Sequence, residues 1–398
     1  MPHDSDTPRL DAADLADLAA WRRELHRHPE VSGQEAGTAA RVVARLERTR
    51  PDALLTGLGG HGVAAVFEGA VPGPVLMLRC ELDALPIEET GTPDWRSTVP
   101  GTGHLCGHDG HMAILAGMAD LLGRHRPSRG RVVLLFQPSE EDGRGAAAVI
   151  ADPAFAQIAP DWAFALHNMP GLPLGQAALR PGPAACASRG MRIVLTGRTA
   201  HASQPETGLS PMAAICALML ALTALGAGGI EDAEFALVTV THARMGAPAF
   251  GIAPGEAEVL VTLRSLTDDR MDGLVQQAEA LARQSAERHG LGLRITHHDV
   301  FRHCENDAEA VARLAAALEA EAVPHGPEGQ PMRASEDFGR VGDGAKAALM
   351  LLGAGRDRAA LLCAADRGSA GVWLKDWHFA EVSRPSPSSG RSARQGGP

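Results

Sequence analysis

The alternation of strand-like and helix-like segments in the first half of the chain constrains its fold most. Strand-like apolar runs occupy residues 62–68, 75–82, 131–137 and 162–167. Helix-like segments occupy residues 11–28, 35–48, 108–125 and 145–150. The run at 75–82 lacks strict polar alternation, which is typical of a strand covered on both faces. We therefore predict an α/β domain, a mixed sheet with helices on both faces.

From about residue 185 the pattern changes to a second architecture. Predicted strands lie at residues 191–196, 235–243, 256–265 and 293–300, and predicted helices at 210–225 and 270–289. Their order, β-α-β-β-α-β, is that of the ferredoxin-like α+β unit. A helix at 307–322 and a buried strand at 347–352 then resume the first pattern. We predict a split catalytic domain (residues 1–184 and 302–398) with an inserted lid or dimerisation domain at 185–301.

Size and composition exclude several classes of protein. A chain of 398 residues exceeds a usual single core, and its net charge of -11 argues against nucleic acid or anionic membrane as a partner. No apolar stretch is long enough to span a membrane, and the first ten residues lack the apolar segment of a signal peptide. The six scattered cysteines favour reduced thiols, so we predict a cytoplasmic protein.

The densest group of reactive side chains lies at residues 103–111, which read GHLCGHDGH. Cys106 and His108 are separated by Gly107, which lets the backbone turn both toward one point. Thiolate and imidazole both suit zinc or a similar metal ion. The alternative is a helix start with polar caps and a buried free cysteine.

Further candidate side chains follow the predicted strands. Glu140 and Glu141 come after the strand at 131–137, where one carboxylate could bind metal and its neighbour could act as a base. The alternative is an acidic first turn that complements a helix dipole. His167 ends the strand at 162–167, although a lone histidine there is usually structural. Four metal-type ligands at successive loop or strand ends indicate a metal site.

Two more residues have possible catalytic roles. Asp83 follows the strand at 75–82 and could hydrogen-bond a metal-binding side chain, or could serve only as a turn or cap residue. His201 lies in the inserted unit, outside the helical and strand patterns. It could donate a hydrogen bond to a developing oxyanion, or it could be a surface-loop histidine.

Seven motifs together resemble one enzyme family. In chain order they are WRRELHRHPE at 21–30, LDALPI at 82–87, CGHDGH at 106–111, FQPSEE at 136–141, LH at 166–167, GRTAH at 197–201 and SEDF at 335–338. The set is similar to the hippurate hydrolase and indole-acetyl-amino-acid hydrolase branch of the aminoacylase-type metallopeptidases. The resemblance covers roughly residues 15–355, and the motifs are specific as a set.

The resemblance implies metal-dependent hydrolysis of the amide bond of a small N-acyl amino acid. It implies two divalent metal ions, with zinc and manganese as first candidates and nickel and cobalt still open. The implied metal ligands are Cys106, His108, Glu141 and His167. Glu140 is the implied general base. His201 would reach from the inserted unit into the partner subunit's active site in a homodimer.

The chain departs from the family pattern at three places. Glu81 stands where the family usually has Asp, and Gly251 stands where it usually has Asn. The family ends with a Leu-His whose histidine is the fifth ligand, whereas residues 360–363 here read Ala-Leu-Leu-Cys. Cys363, His378 or water could replace that ligand, and the alternative is a divergent tail that binds nothing. We therefore expect a weak second metal.

Three other functions remain open. A dipeptidase or aminopeptidase of the same family would differ in its substrates. A catalytically impaired pseudo-enzyme would bind ligand without turnover, because its last metal ligand is missing. A cysteine hydrolase that uses Cys106 would keep its activity with chelators and lose it on alkylation.

Overall fold

A computed structural model describes residues 9–355. The helices are α1 (Ala12–Arg27), α2 (Ala36–Glu47), α3 (His108–Arg124), α4 (Gly145–Ala151), α5 (Met212–Thr223), α6 (Asp268–Arg288) and α7 (Ala308–Ala320). Short 3-10 helices lie at Pro153–Gln157, Pro205–Thr207 and Asp337–Asp343. The strands are β1 (Ala53–Leu58), β2 (Gly62–Glu68), β3 (Val75–Glu81), β4 (Arg131–Gln137), β5 (Trp162–Met169), β6 (Ala177–Ala178), β7 (Gly182–Ala185), β8 (Ala187–Thr196), β9 (Ala200–His201), β10 (Ala236–Met245), β11 (Ile252–Ala253), β12 (Glu256–Ser265), β13 (Gly292–Phe301), β14 (Cys304–Asn306), β15 (His325–Gly326) and β16 (Lys346–Gly353).

The larger sheet is mixed, as predicted. Its eight strands have the order β1-β2-β4-β3-β5-β16-β6-β15. Strands β4, β3, β5 and β16 are parallel neighbours in its centre, and β1 and β2 run antiparallel at one side. The last residues of β3 and β4, Glu81 and Gln137, face each other in register. The loops that follow the central strands therefore leave the sheet at one edge.

Helices cover both faces of this sheet, which confirms the predicted fold class. Side chains alternate along β4: Leu134 and Phe136 pack toward α1, α2 and α3, whereas Val133 and Leu135 pack on the opposite face with α4. Burial of each such leucine or phenylalanine stabilises the fold by about 2 kcal/mol. Asp11 begins α1 through a capping box with Asp14.

The inserted sheet is antiparallel, with the order β10-β12-β8-β13, and α5 and α6 pack on one face. This is the strand order of the predicted ferredoxin-like unit. Gly290, with a φ of 65°, lies two residues after the end of α6, where a glycine commonly ends a helix. The sheet begins at Ala187 and ends at Phe301, while the domain boundaries at 184/185 and 301/302 stay a prediction.

Some elements were not predicted from the sequence. Strand β1 pairs with β2 at the side of the large sheet, and several of the other missed strands have only two residues. None of the helices within residues 9–355 has the length and apolar character of a membrane span. Cys80, Cys106, Cys186, Cys216 and Cys304 are free thiols, in line with the predicted reduced cysteines. Cys363 and His378 lie outside the described residues.

Candidate metal centre

The loop before α3 brings Cys106 and His167 together at the edge of the large sheet. Gly107 begins α3 in the left-handed region, with a φ of 95°, and a Cβ on it would lie 2.6 Å from Oδ1 of Asn168. Only glycine fits this close approach without a shift. The Cys106 Sγ lies 3.3 Å from the His167 Nε2 as a result.

His108 stands in the middle of the candidate site. Its Nδ1 lies 2.8 Å from the backbone oxygen of Asp83. Because a carbonyl oxygen only accepts hydrogen bonds, Nδ1 carries a proton, and Nε2 is the ring nitrogen that faces the two glutamates. The Nε2 atom lies 3.9 Å from Oε2 of Glu140 and 3.8 Å from Oε1 of Glu141.

Three overlapping donor sets share His108. In each set, Cys106 with His108 and His167, His108 with Glu140 and Glu141, or Glu81 with His108 and His111, one ligand atom per residue lies within 4.8 Å of the others. His108 Nε2 and Glu141 Oε1 are buried and have no hydrogen-bond partner within residues 9–355. Buried polar atoms rarely lack partners, so a cation between them would satisfy both. These residues fit the divalent metals that sulfur, imidazole and carboxylate donors prefer.

Asp83 links the backbone of Glu141 to His108. Its Oδ2 accepts a hydrogen bond from the backbone N–H of Glu141 at 2.9 Å. Its Oδ1 lies 3.5 Å from Nδ1 of His108. These contacts are those expected of a partner of metal-binding groups, a role that stays a prediction for Asp83.

His201 is the one predicted site residue that lies apart from this cluster. It belongs to β9, which pairs only with β11 among the described strands, and its side chain is exposed. Its Nδ1 contacts the hydroxyl of Ser203 at 2.7 Å. The hydrogen bonds of its ring within residues 9–355 therefore stay inside the inserted unit.

The chain matches one known protein family over most of its length. The profile of peptidase family M20/M25/M40 matches residues 77–363, which is more than half of the chain. The chain belongs to this family. It is accordingly a hydrolase that acts on amide bonds and depends on metal ions.

Individual relatives of this M20 chain point the same way. It is 31% identical over 305 residues to N-acetylcysteine deacetylase of Bacillus subtilis, covering 75% of this chain and 80% of the relative. It is 31% identical to the IAA-amino acid hydrolase ILR1-like 2 of Arabidopsis thaliana, with 66% of this chain and 60% of that protein covered. The crystal structure of Bacillus subtilis YXEP, a dinuclear metal-binding peptidase, matches with a TM-score of 0.71 and 27% identity, covering 87% and 90% of the two chains.

A second layer of charge behind the M20 site was not predicted from the sequence. Arg79 is fully buried in β3, and its guanidinium pairs with Glu81, with Glu336 at 3.0 Å and with Asp337 at 2.6 Å. The backbone N–H of Asp337 lies 3.4 Å from Oε1 of Glu140. The sequence signal that could have revealed this layer is an arginine inside the apolar run at 75–82. Two of its partners, Glu336 and Asp337, come from the distant SEDF motif.

His111 is a third histidine at the site and was not assigned a role from the sequence. Its Nδ1 lies 2.7 Å from Oε2 of Glu81, and its Nε2 accepts a hydrogen bond from the backbone N–H of Asn168 at 3.1 Å. Both ring nitrogens of His111 thus have hydrogen-bond partners, whereas Nε2 of His108 has none within residues 9–355. His111 connects β3 with β5, and with Glu81 and His108 it forms a further group of possible ligands.

Burial sets the protonation behaviour of the site. It raises the pKa of Glu141 to about 7, and burial together with the nearby Glu336 carboxylate raises the pKa of Glu140 well above its usual range. Burial also lowers the pKa of His167 to about 3. His167 is therefore a neutral imidazole with a lone pair to donate, and a cation near the two glutamates would favour their ionised forms.

Proposed function

We propose that this M20 hydrolase cleaves the amide bond of small N-acyl amino acids with two divalent metal ions. The proposed ligands are Cys106, His108, Glu141 and His167, and zinc or manganese are the first candidates. The observation that carries the proposal is the meeting of two donor sets, Cys106 with His167 and Glu140 with Glu141, at His108, whose Nε2 is buried and has no hydrogen-bond partner within residues 9–355. The deacetylase and IAA-amino acid hydrolase among the relatives support this substrate class.

The chain's own groups supply the proton transfers. When bound, the two cations would supply Lewis-acid activation of water and of the amide carbonyl. Glu140, buried and 3.9 Å from His108 Nε2, takes the proton of the attacking water and passes it to the leaving amine. Burial raises the pKa of Glu140, which is the direction that favours uptake of a proton by this carboxylate.

The surroundings of the Cys106 thiol, which is partly buried, argue against a cysteine hydrolase. Burial raises the pKa of this thiol well above its usual range. A nucleophilic cysteine needs the opposite, a thiolate stabilised at neutral pH. In contact with a metal ion, however, the thiol loses its proton and becomes a ligand. The environment of Cys106 therefore favours the metal role.

We further propose that the enzyme is a cytoplasmic homodimer in which His201 stabilises the oxyanion in the partner subunit. The exposed outer face of α5 is apolar, with Met212 51% and Leu220 76% exposed. Phe250 and Ile252, near β9, are exposed as well. Apolar side chains that cluster on a surface are typical of an interface. A partner on this face would bury them and bring His201 toward a second site.

The test combines metal analysis with hydrolysis of a panel of N-acyl amino acids and dipeptides. We expect N-acyl amino acids to be cleaved and dipeptides to be poor substrates. Glu140→Gln keeps the shape of the side chain but removes the proton acceptor, so kcat should fall by roughly 10²-fold or more while metal binding persists. Full activity of that variant would remove Glu140 from the mechanism.

The same preparation tests the C-terminal departure from the family. With no histidine at residues 360–363, we expect fewer than two tightly held metals per chain and recovery of the second only at high metal concentration. Two tightly held metals would contradict this. Their loss on Cys363→Ala or His378→Ala would then identify the replacement ligand.

A further inference from the structure

A short loop near the N-terminus, which precedes the part of the chain that the family profile matches, lies against the catalytic edge. We call residues 30–35 the bracing loop. Its backbone adds to the edge beside Asp83: Ala84 donates a hydrogen bond to the oxygen of Glu30 at 2.8 Å, and Val31 forms a parallel bridge with Ala84. The loop is therefore fixed next to the residues that follow β3.

Ser32 in the bracing loop holds one oxygen of Asp83. Its hydroxyl donates to Oδ2 at 2.7 Å, and the N–H of Glu141 donates to the same oxygen at 2.9 Å. Two donors on Oδ2 fix the rotation of the carboxylate. The other oxygen, Oδ1, is then directed at the His108 ring, 3.5 Å from Nδ1.

Glu35 holds the turn that carries the two catalytic glutamates. Ser139 precedes them and has a φ of 54°, in the left-handed region that costs a non-glycine residue on the order of 1 kcal/mol. The Oε1 of Glu35 accepts from the N–H of Ser139 at 2.8 Å and lies 3.3 Å from its hydroxyl. Glu35 is completely buried, and the same oxygen also accepts a hydrogen bond from the N–H of Gly33 at 2.9 Å, so the carboxylate joins the bracing loop to the turn.

We propose that the bracing loop positions the reacting groups, with Ser32 fixing Asp83 and Glu35 fixing the Ser139–Glu141 turn. The proposal deepens the proposed function and rests on it. Neither Ser32 nor Glu35 contacts the donor atoms, so both are positioning residues. Losing such a partner of metal-binding groups typically costs 10- to 100-fold in metal affinity or activity.

The chain offers a matched control for the serine. Thr38 also donates its hydroxyl to a carboxylate, that of Glu30, at 2.8 Å. That bond joins the first residue of the bracing loop to the start of α2, and its loss leaves the bonds of Ser32 to Asp83 and of Glu35 to Ser139 in place. Ser32→Ala and Thr38→Val each remove one hydroxyl of similar geometry from the same segment. If the Ser32 hydroxyl only stabilised the fold, the two variants would have the same Co²⁺ affinity and the same kcat.

The experiment measures Co²⁺ affinity by absorption, kcat, KM and thermal stability for Ser32→Ala, Glu35→Met, Glu35→Gln and Thr38→Val. We expect Ser32→Ala and Glu35→Met to lose about tenfold or more in Co²⁺ affinity and in kcat at unchanged KM. Glu35→Gln keeps an acceptor oxygen and should recover most of both. Thr38→Val should lose thermal stability only.

The proposal is overturned if Ser32→Ala and Glu35→Met match Thr38→Val, with Co²⁺ affinity and kcat within twofold of the unchanged protein. If Glu35→Met does not fold, Ser32→Ala decides alone. The failure of the unchanged protein to cleave any substrate in the panel would count against the proposed function. The Co²⁺ affinities would still test the bracing loop in that case.

Discussion

The two larger sheets of this chain, of eight and four strands, bury different kinds of side chain. Every Asp, Glu and Arg that is fully buried within residues 9–355 lies outside 187–301. The inserted sheet packs on apolar side chains such as Ile193, Leu218 and Leu263. Buried charge is costly unless it is paired, and it is retained where chemistry needs it. The difference therefore separates a region shaped by reactivity from a region shaped by packing.

Removal of the buried cation should have the largest effect on the large sheet. Arg79→Met leaves Glu81, Glu336 and Asp337 buried without their guanidinium partner. We expect a loss of about 3–5 kcal/mol in the free energy of unfolding, together with a large loss of kcat. Urea unfolding and steady-state kinetics measure the two effects. Arg79→Lys keeps the positive charge but loses the planar guanidinium, so its stability and its kcat should lie between those of the original protein and of Arg79→Met. A fully active Arg79→Met enzyme would contradict the support role.

A cavity in the inserted sheet should uncouple stability from chemistry. Leu263 lies in β12, and its side chain is completely buried in the core between the inserted sheet and its helices. Leu263→Ala should lower the free energy of unfolding by about 3 kcal/mol, within the 2–5 kcal/mol typical of buried leucines. We expect kcat to stay within a fewfold of the original at a temperature where the variant is folded. A loss of kcat as large as in Arg79→Met would remove the contrast between the two regions.

The same contrast explains what the sequence could predict. The elements of the inserted sheet follow from periodicity, because its strands alternate between one apolar and one polar face; β12 was predicted with its observed bounds, 256–265. The gathering of Cys106, His108, Glu141 and His167 follows from a general rule, that loops after parallel strands meet at one edge. Their roles as ligands stay a proposal.

What periodicity cannot predict are contacts between distant parts of the chain. Arg79 and Asp337 are 258 positions apart, and no local pattern records their pairing. The bond from Glu35 to Ser139 spans 104 positions in the same way. Strand β1 was missed for another reason: most of its residues are exposed or half-buried, so it lacks the apolar run of a central strand. His201 acts, as we propose, on a second subunit, which one chain does not reveal.

A smaller effect on stability is expected from pH, at His26 of α1, a helix that packs on the large sheet. Burial disfavours the charged form of His26, but hydrogen bonds to Asp109 at 3.0 Å and to Glu89 at 3.3 Å outweigh it and raise the pKa from 6.5 to about 9. A raised pKa adds stability that is complete below pH 6.5 and is lost as the pH rises through 9. Since one pKa unit corresponds to about 1.4 kcal/mol, the contribution is roughly 3 kcal/mol at most.

His26→Gln isolates this contribution, because glutamine does not titrate. Urea unfolding at pH 6.5 and at pH 9.5 should show the original protein losing more stability than the variant by about 2 kcal/mol, allowing for residual solvent screening. Asp109 and Glu89 stay ionised across the interval, since hydrogen bonds to His26 lower both pKa values. Equal losses in the two proteins would show that His26 is neutral in the folded state.

The smallest effect on the fold is expected at the surface of the inserted unit. Leu220→Glu places a charge on the exposed apolar face of α5, where it should change the stability of a subunit by no more than about 0.5 kcal/mol. If a second copy covers this face, the buried charge shifts the protein from dimers to monomers. The kcat then falls as far as in His201→Ala, because both changes remove the same hydrogen-bond donor from the partner's site. Gln277→Glu, on the exposed polar face of α6, adds the same charge and should leave mass and kcat unchanged. Light scattering and steady-state kinetics on the three variants distinguish the cases. If Leu220→Glu has the mass and the activity of Gln277→Glu, this apolar face does not pair subunits. His201 would then have to act within its own chain or not at all.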